Sequence, residues 1–194
     1  MYDWVLSWAN HPAGEWALFA FAFVESSFFP IPPDVLLIAL ALGIPKRAFR
    51  YSLICSIGSV LGGMFGYFIG WQLWQWLGDF FFNNLAWAQF TRENFEKVKG
   101  LYNDNAFLAV FAAAFTPIPY KVFTIAAGVC SINFGIFVLA SIIGRSLRFF
   151  ATSALLYFVG AKAKIFIDKY FNWLALAFFV LLVAGFLVIG KFIK

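Results

Sequence analysis

Apolar residues fill this chain in long blocks, and two of the blocks are broken at matching places. From Ala13 to Phe29 only Glu15 and Glu25 carry charge. The run Pro30-Ile31-Pro32-Pro33 follows, and the chain is apolar again from Val35 to Gly43. In the second half Ala106 to Phe115 is apolar, Pro117-Ile118-Pro119 breaks it, and Val122 to Gly128 resumes it. Each Pro-Ile-Pro removes backbone donors and fixes φ angles, so a continuous helix cannot pass through it. The limbs of about 11 to 17 residues span roughly 17–25 Å as helix, short of a bilayer core of about 30 Å. Two short limbs on a proline corner read as a helical hairpin that enters and leaves on one side; a single kinked span would leave Glu25 in lipid.

The corners are copies of each other. Phe28-Phe29-Pro30-Ile31-Pro32-Pro33-Asp34-Val35 and Phe115-Thr116-Pro117-Ile118-Pro119-Tyr120-Lys121-Val122 align with Phe, Pro, Ile, Pro and Val in register. Asp34 aligns with Lys121, so the copies differ in sign at one position. Paired interruptions in two halves are the pattern of an inverted repeat with a site between the broken helices.

Between and around the hairpins the pattern predicts ordinary helices. Tyr51 to Gly78 carries no charge, and Gly58, Gly62, Gly66 and Gly70 place a small-residue stripe on one face, which lets another helix approach. Trp71, Trp74, Trp76, Trp87 and Phe80-Phe81-Phe82 mark an interfacial belt. Residues 91–104 predict an amphipathic surface helix capped by Thr91, with Glu93 and Lys97 one turn apart and Phe95, Val98 and Tyr102 on one face. Asn133 to about Gly160 predicts a span interrupted at Gly144-Arg145-Ser146-Leu147-Arg148, and Tyr170 to Gly190 predicts a C-terminal transmembrane helix. Residues 1–12 predict an interfacial amphipathic helix ended by His11-Pro12.

Composition agrees with a membrane protein: 63% of the 194 residues are hydrophobic and 12% charged, about half the charge of a soluble domain. The N-terminus lacks a basic region, so no cleavable signal peptide is expected. Cys55 and Cys130 lie in apolar runs and are expected to be free thiols. Charge also orients the chain. With both hairpins returning to their own side, residues 43–50 and 161–169 share a face holding Lys46, Arg47, Arg50, Lys162, Lys164 and Lys169 against Asp168. Residues 71–105 hold Arg92, Lys97 and Lys99 against four acids. The six-cation face is expected to be cytoplasmic, and the hairpin tips then meet from opposite sides.

Five ionisable residues sit in or beside the apolar runs: Glu25, Asp34, Lys121, Arg145 and Arg148. A charge near the bilayer centre costs about 3 kcal/mol or more, so it faces a cavity and finds a partner. Meeting tips are expected to bring Asp34 close to Lys121, and Arg145 and Arg148 project from one helix face. Two functions fit. Carboxylates that take up protons, beside cations that hold an anionic head group, suit a lipid or lipid-phosphate translocase. Alternatively the charges are buried ion pairs in a non-transporting scaffold. An enzyme is not expected, because the single histidine lies at the edge and no nucleophile–base pair can be placed. Neither a cofactor, a metal nor a nucleic-acid partner is implied.

The same residues resemble the DedA family, whose domain is also called SNARE-associated or VTT. Glu25 before the first corner, Asp34 after it, the Gly62–Gly70 glycine-rich run containing Gly66-Tyr67-Phe68-Ile69-Gly70, and Phe115-Thr116-Pro117 through Ala127-Gly128 carry the likeness, over roughly residues 13–160. The two Pro-Ile-Pro corners (Pro30, Pro32 and Pro33; Pro117 and Pro119) look most similar to the YqaA subgroup. The resemblance implies an all-α integral protein of the bacterial inner membrane. Its expected architecture is an inverted repeat of two opposed re-entrant hairpins, about 13–43 and 106–128, with transmembrane helices. It implies a role in membrane homeostasis and, for some relatives, proton-linked translocation of undecaprenyl phosphate or phospholipid scrambling. Glu25 and Asp34 match the family's two acids. One family arginine is Ala114 here, another falls at Tyr120 or Lys121, and the acid before the Gly-Tyr element is Gly63. Arg145 and Arg148 are candidates to restore the missing positive charge.

Overall fold

In the computed structural model, residues 13–28, 33–84, 91–116 and 118–158 are described. The expected N-terminal interfacial helix, Pro30, Pro32 and Pro117, and the expected helix at 170–190 lie outside them. The described residues are helical: α1 (Gly14–Ser27), α2 (Pro33–Gly43), a 3₁₀ turn (Pro45–Arg47), α3 (Ala48–Asn84), α4 (Arg92–Asp104), α5 (Ala106–Phe115), α6 (Tyr120–Val129) and α7 (Phe134–Phe158). Both Pro-rich stretches separate two short helices. Pro33 opens α2 at the first helical position, where its missing N–H costs nothing, and Pro119 precedes α6 as its N-cap.

α3 is the axis on which both short pairs are hung, and the glycine stripe explains how. α1 runs parallel to its first half. Glu15 pairs with Arg50 at 2.7 Å, and a Cβ on Gly62 would lie 2.1 Å from the Phe23 carbonyl oxygen. α6 runs parallel to its second half, where a Cβ on Gly70 would stand 2.0 Å from the Ile125 carbonyl. Gly128 of α6 repeats the device against the Tyr67 carbonyl. Only residues without a side chain permit backbones this close.

The register brings the C-terminal end of α1 and the N-terminal end of α6 to the same level. Ser27 Oγ, which donates to the Phe23 carbonyl at 2.6 Å, stands 3.1 Å from the Gly62 carbonyl, the Tyr120 phenol lies against Gly63, and Thr124 lies against Gly66. α7 closes the other side, antiparallel to α3. Phe134 packs on Tyr67, Arg145 reaches Ser59, and Ser153 meets Ser52 at 2.5 Å. The described core falls into three clusters: Leu18, Leu37, Tyr51 and Phe149 around the first pair, Val110, Ala113, Ile132 and Phe137 around the second, and a small one of Ala41, Ala48 and Leu156.

α7 is not interrupted at Gly144-Arg145-Ser146-Leu147-Arg148, contrary to the sequence expectation. Gly144 is used for contact, since a Cβ there would meet that of Ala114 at 2.6 Å, and arginine is a good helix former. The uncharged stretch Tyr51–Gly78 also proves to be part of a longer helix. Pro45–Phe80 and Phe134–Phe158 are long and apolar enough to cross a membrane.

α4 forms as its pattern predicts. Thr91 accepts from the Asn94 N–H at 3.2 Å, and Lys97 pairs with Glu93 at 2.7 Å. That ammonium, hydrogen-bonded one turn on, holds the Glu93 carboxyl below its ordinary value. Phe95 stacks on Trp74, and Tyr102 donates to the Phe123 carbonyl, fixing α4 across the ends of α3 and α6. Val98, expected on that face, is exposed instead.

Candidate functional site

The acids of the first pair and the arginines of α7 meet where α1 ends and α6 begins. Arg145 donates from Nη2 to Glu25 Oε2 at 3.1 Å and from Nε to Ser59 Oγ. Ser26 Oγ donates to the same carboxylate oxygen at 3.1 Å and lies 2.6 Å from Ser59 Oγ. A serine has one hydrogen, and that of Ser26 goes to Glu25, so Ser59 donates to Ser26. The result is a closed ring running Arg145 to Ser59 to Ser26 to Glu25. Arg145 is 2% exposed, and both serines are fully buried.

The arginine is also held from its faces. Its guanidinium carbon lies 5.0 Å from the Tyr120 ring centroid and 4.7 Å from that of Phe149. Such placement is attractive when the site is dry. Tyr120 is fixed in turn by donating to Ser141 at 2.6 Å. This explains the departure at Gly63, where a Cβ would stand 2.6 Å from the Tyr120 hydroxyl. The phenol occupies the space that a side chain on residue 63 would need.

Arg148, one turn further along α7, makes the second pair. Nη2 binds Asp34 Oδ2, and Nη1 donates to the Thr116 carbonyl at 2.9 Å. Asp34 lies in the first turn of α2, where the helix dipole favours an anion. Thr116 ends α5 just before the second Pro-Ile-Pro, and its carbonyl is among those a helix end leaves without an internal partner. Each arginine therefore joins a carboxylate of the first pair to the start or end of a helix of the second.

The expected Asp34–Lys121 contact is replaced by Asp34–Arg148. Lys121, half-buried in the first turn of α6, makes no ion pair among the described residues. A cation there opposes the helix dipole. All five residues predicted to carry charge in the apolar runs are thus placed at or beside the corners. Ser26, Ser59 and Tyr120 were missed as members, because a hydroxyl in an apolar helix looks the same whether it packs or relays. Among the described residues, buried side-chain nitrogen and oxygen atoms all have hydrogen-bond partners, and no cluster suited to a metal occurs.

Comparison with known proteins gives a consistent picture. The family model described as the VTT domain matches residues 29–158. An uncharacterized protein of Haemophilus influenzae is 36% identical over 84% of this chain and 82% of its own length. An uncharacterized protein of Histophilus somni is 31% identical over the same shares. No solved structure matches the chain.

Proposed function

The chain belongs to the VTT-domain (DedA) family, typically membrane-associated, and from that premise we propose that it is a lipid or lipid-phosphate translocase of the bacterial inner membrane, flippase- or scramblase-like and coupled to protons. The two Pro-Ile-Pro corners support the finer reading that it is of the YqaA subgroup.

The supporting observation is the pair of ion bridges, Glu25–Arg145 and Asp34–Arg148, at the junction of two broken helices. α3 serves as a ruler for their depth. Arg50 and Trp71 stand 21 positions apart on it, about 30 Å of helix, close to a hydrocarbon core. Ser59, which touches Arg145, lies about 14 Å from Arg50 along that axis, near the middle. Charges at that depth are costly and mark pathways for ions, protons or substrates. In this reading the α1–α2 and α5–α6 pairs are re-entrant hairpins entering from opposite sides. Glu25 and Asp34, 17% and 26% exposed, exchange protons, and Lys121 and Arg148 hold a phosphate while the lipid tail stays outside.

The test is transbilayer movement of fluorescent phospholipid and polyprenyl-phosphate probes in proteoliposomes, with and without a pH gradient. Movement by wild type that is lost in Lys121→Ala and Asp34→Asn variants of normal stability supports the reading, and absence of movement with every probe removes it. A scaffold reading is favoured by one observation, the closed ring around Arg145, which resembles a structural lock. It accounts for that pair but leaves Lys121, which makes no ion pair among the described residues, without a role.

A further inference from the structure

Arg145 and Arg148 stand one turn apart on α7 yet are held in different ways. Arg145 is enclosed: its Nε is taken by Ser59, its Nη2 by Glu25, and its guanidinium lies over the rings of Tyr120 and Phe149. Arg148 is open: its side chain is 22% exposed and that of Asp34 26%. The two partners of Arg148 also lie on different helix pairs, Asp34 on α2 and Thr116 at the end of α5. Among the described residues Thr124 Oγ1 also reaches toward the Ser26 carbonyl across the pairs, but at 3.4 Å, with the Lys121 carbonyl nearer at 2.9 Å.

An arginine stays charged and requires an anion, but it does not require one particular anion. A phosphate oxygen satisfies Nη2 as well as a carboxylate does, with the planar donors in the geometry that phosphate recognition favours. Exchange of Asp34 for phosphate leaves Arg148 bound to Thr116 and frees the start of α2. The same exchange at Arg145 would have to break the serine ring and both ring contacts.

We infer that Arg148 is a movable clasp between the two helix pairs, opened when the phosphate of an anionic lipid head group displaces Asp34 from its Nη2. This rests on the translocase reading and adds how head-group binding parts the pairs. Arg145, in contrast, keeps the end of α1 fixed to α3, α6 and α7 throughout, so the parting is between α2 and α5.

The experiment is a pulsed electron paramagnetic resonance distance between nitroxides at the exposed positions Val35 on α2 and Phe115 on α5. It uses the full chain with Cys55→Ala and Cys130→Ala, reconstituted in phosphatidylcholine alone, with added phosphatidylglycerol, or with inorganic phosphate in the buffer. One short distance is expected in phosphatidylcholine, with a second, longer population appearing on adding phosphatidylglycerol but not inorganic phosphate. Arg148→Ala and Arg148→Lys are expected to show the longer population in every lipid. Asp34→Ala leaves Arg148 bound to Thr116 but frees the start of α2, so it too stays long.

The clasp is overturned by a wild-type distribution indifferent to phosphatidylglycerol, by lengthening with inorganic phosphate alone, or by a short distance in Asp34→Ala or Arg148→Ala. Lipid-dependent lengthening in a protein that moves no lipid probe would keep the clasp and discard the translocase. Probe movement without lengthening would do the reverse.

Discussion

Arg145 and Glu25 are 120 positions apart in sequence and meet at 3.1 Å, inside a ring closed by Ser26 and Ser59. The bond ties the first broken helix to the last described one. Because Arg145 is buried and Glu25 mostly so, removing one partner is worse than removing both.

Arg145→Leu is therefore expected to destabilise the protein by about 3 kcal/mol, since it strands a part-buried carboxylate and its serine partners. Glu25→Leu combined with Arg145→Leu is expected to recover most of that loss. Thermal unfolding of the purified variants in detergent measures both, and equal losses in the single and double variants would contradict the buried-pair account.

The glycine stripe makes a sharper contrast. Gly70→Ala presses a methyl group onto the Ile125 carbonyl, and an overpacking loss of about 1–3 kcal/mol is expected. Gly100→Ala in α4 meets nothing within 4 Å and should stabilise the helix by up to about 1 kcal/mol. Melting temperatures that move in opposite directions are the outcome expected.

Lys121→Ala is expected to change stability by no more than about 0.5 kcal/mol, because no ion pair among the described residues is lost. The same variant is expected to lose lipid translocation. A large drop in stability with unchanged transport would assign Lys121 to the scaffold.

At α4 the cap and the charge pair are separable. Thr91→Ala removes the acceptor for the Asn94 N–H and should cost about 1 kcal/mol. The Glu93 carboxyl, held low by Lys97, contributes above its ordinary value, and that contribution is lost as pH falls through its depressed one. Amide protection factors in 92–104, taken relative to the intrinsic exchange rate at each pH, should thus fall in acid, and Lys97→Ala should remove that dependence.

Much of this was legible in the sequence, and the reason is local. Pro33 and Pro119 mark helix starts because proline fixes φ and lacks a donor. Gly58 through Gly70 marks a contact face because a four-residue spacing stays on one side of a helix. Pairing was not legible. Lys121 aligns with Asp34 in the repeat, yet Arg148 takes the carboxylate because α7 runs back past both corners, a relationship fixed by packing over more than a hundred positions. The supposed break at Gly144 failed for the same reason. A glycine beside two arginines looks like a loop until Ala114 is found against it.

The most direct test of the central claim is transbilayer lipid movement by the Glu25→Leu, Arg145→Leu double variant beside wild type. The variant keeps a packed core and loses the buried charges. The account expects wild type to move a phosphate-bearing lipid probe and the folded double variant to move none. Equal movement by both would show that these charges only hold the fold together.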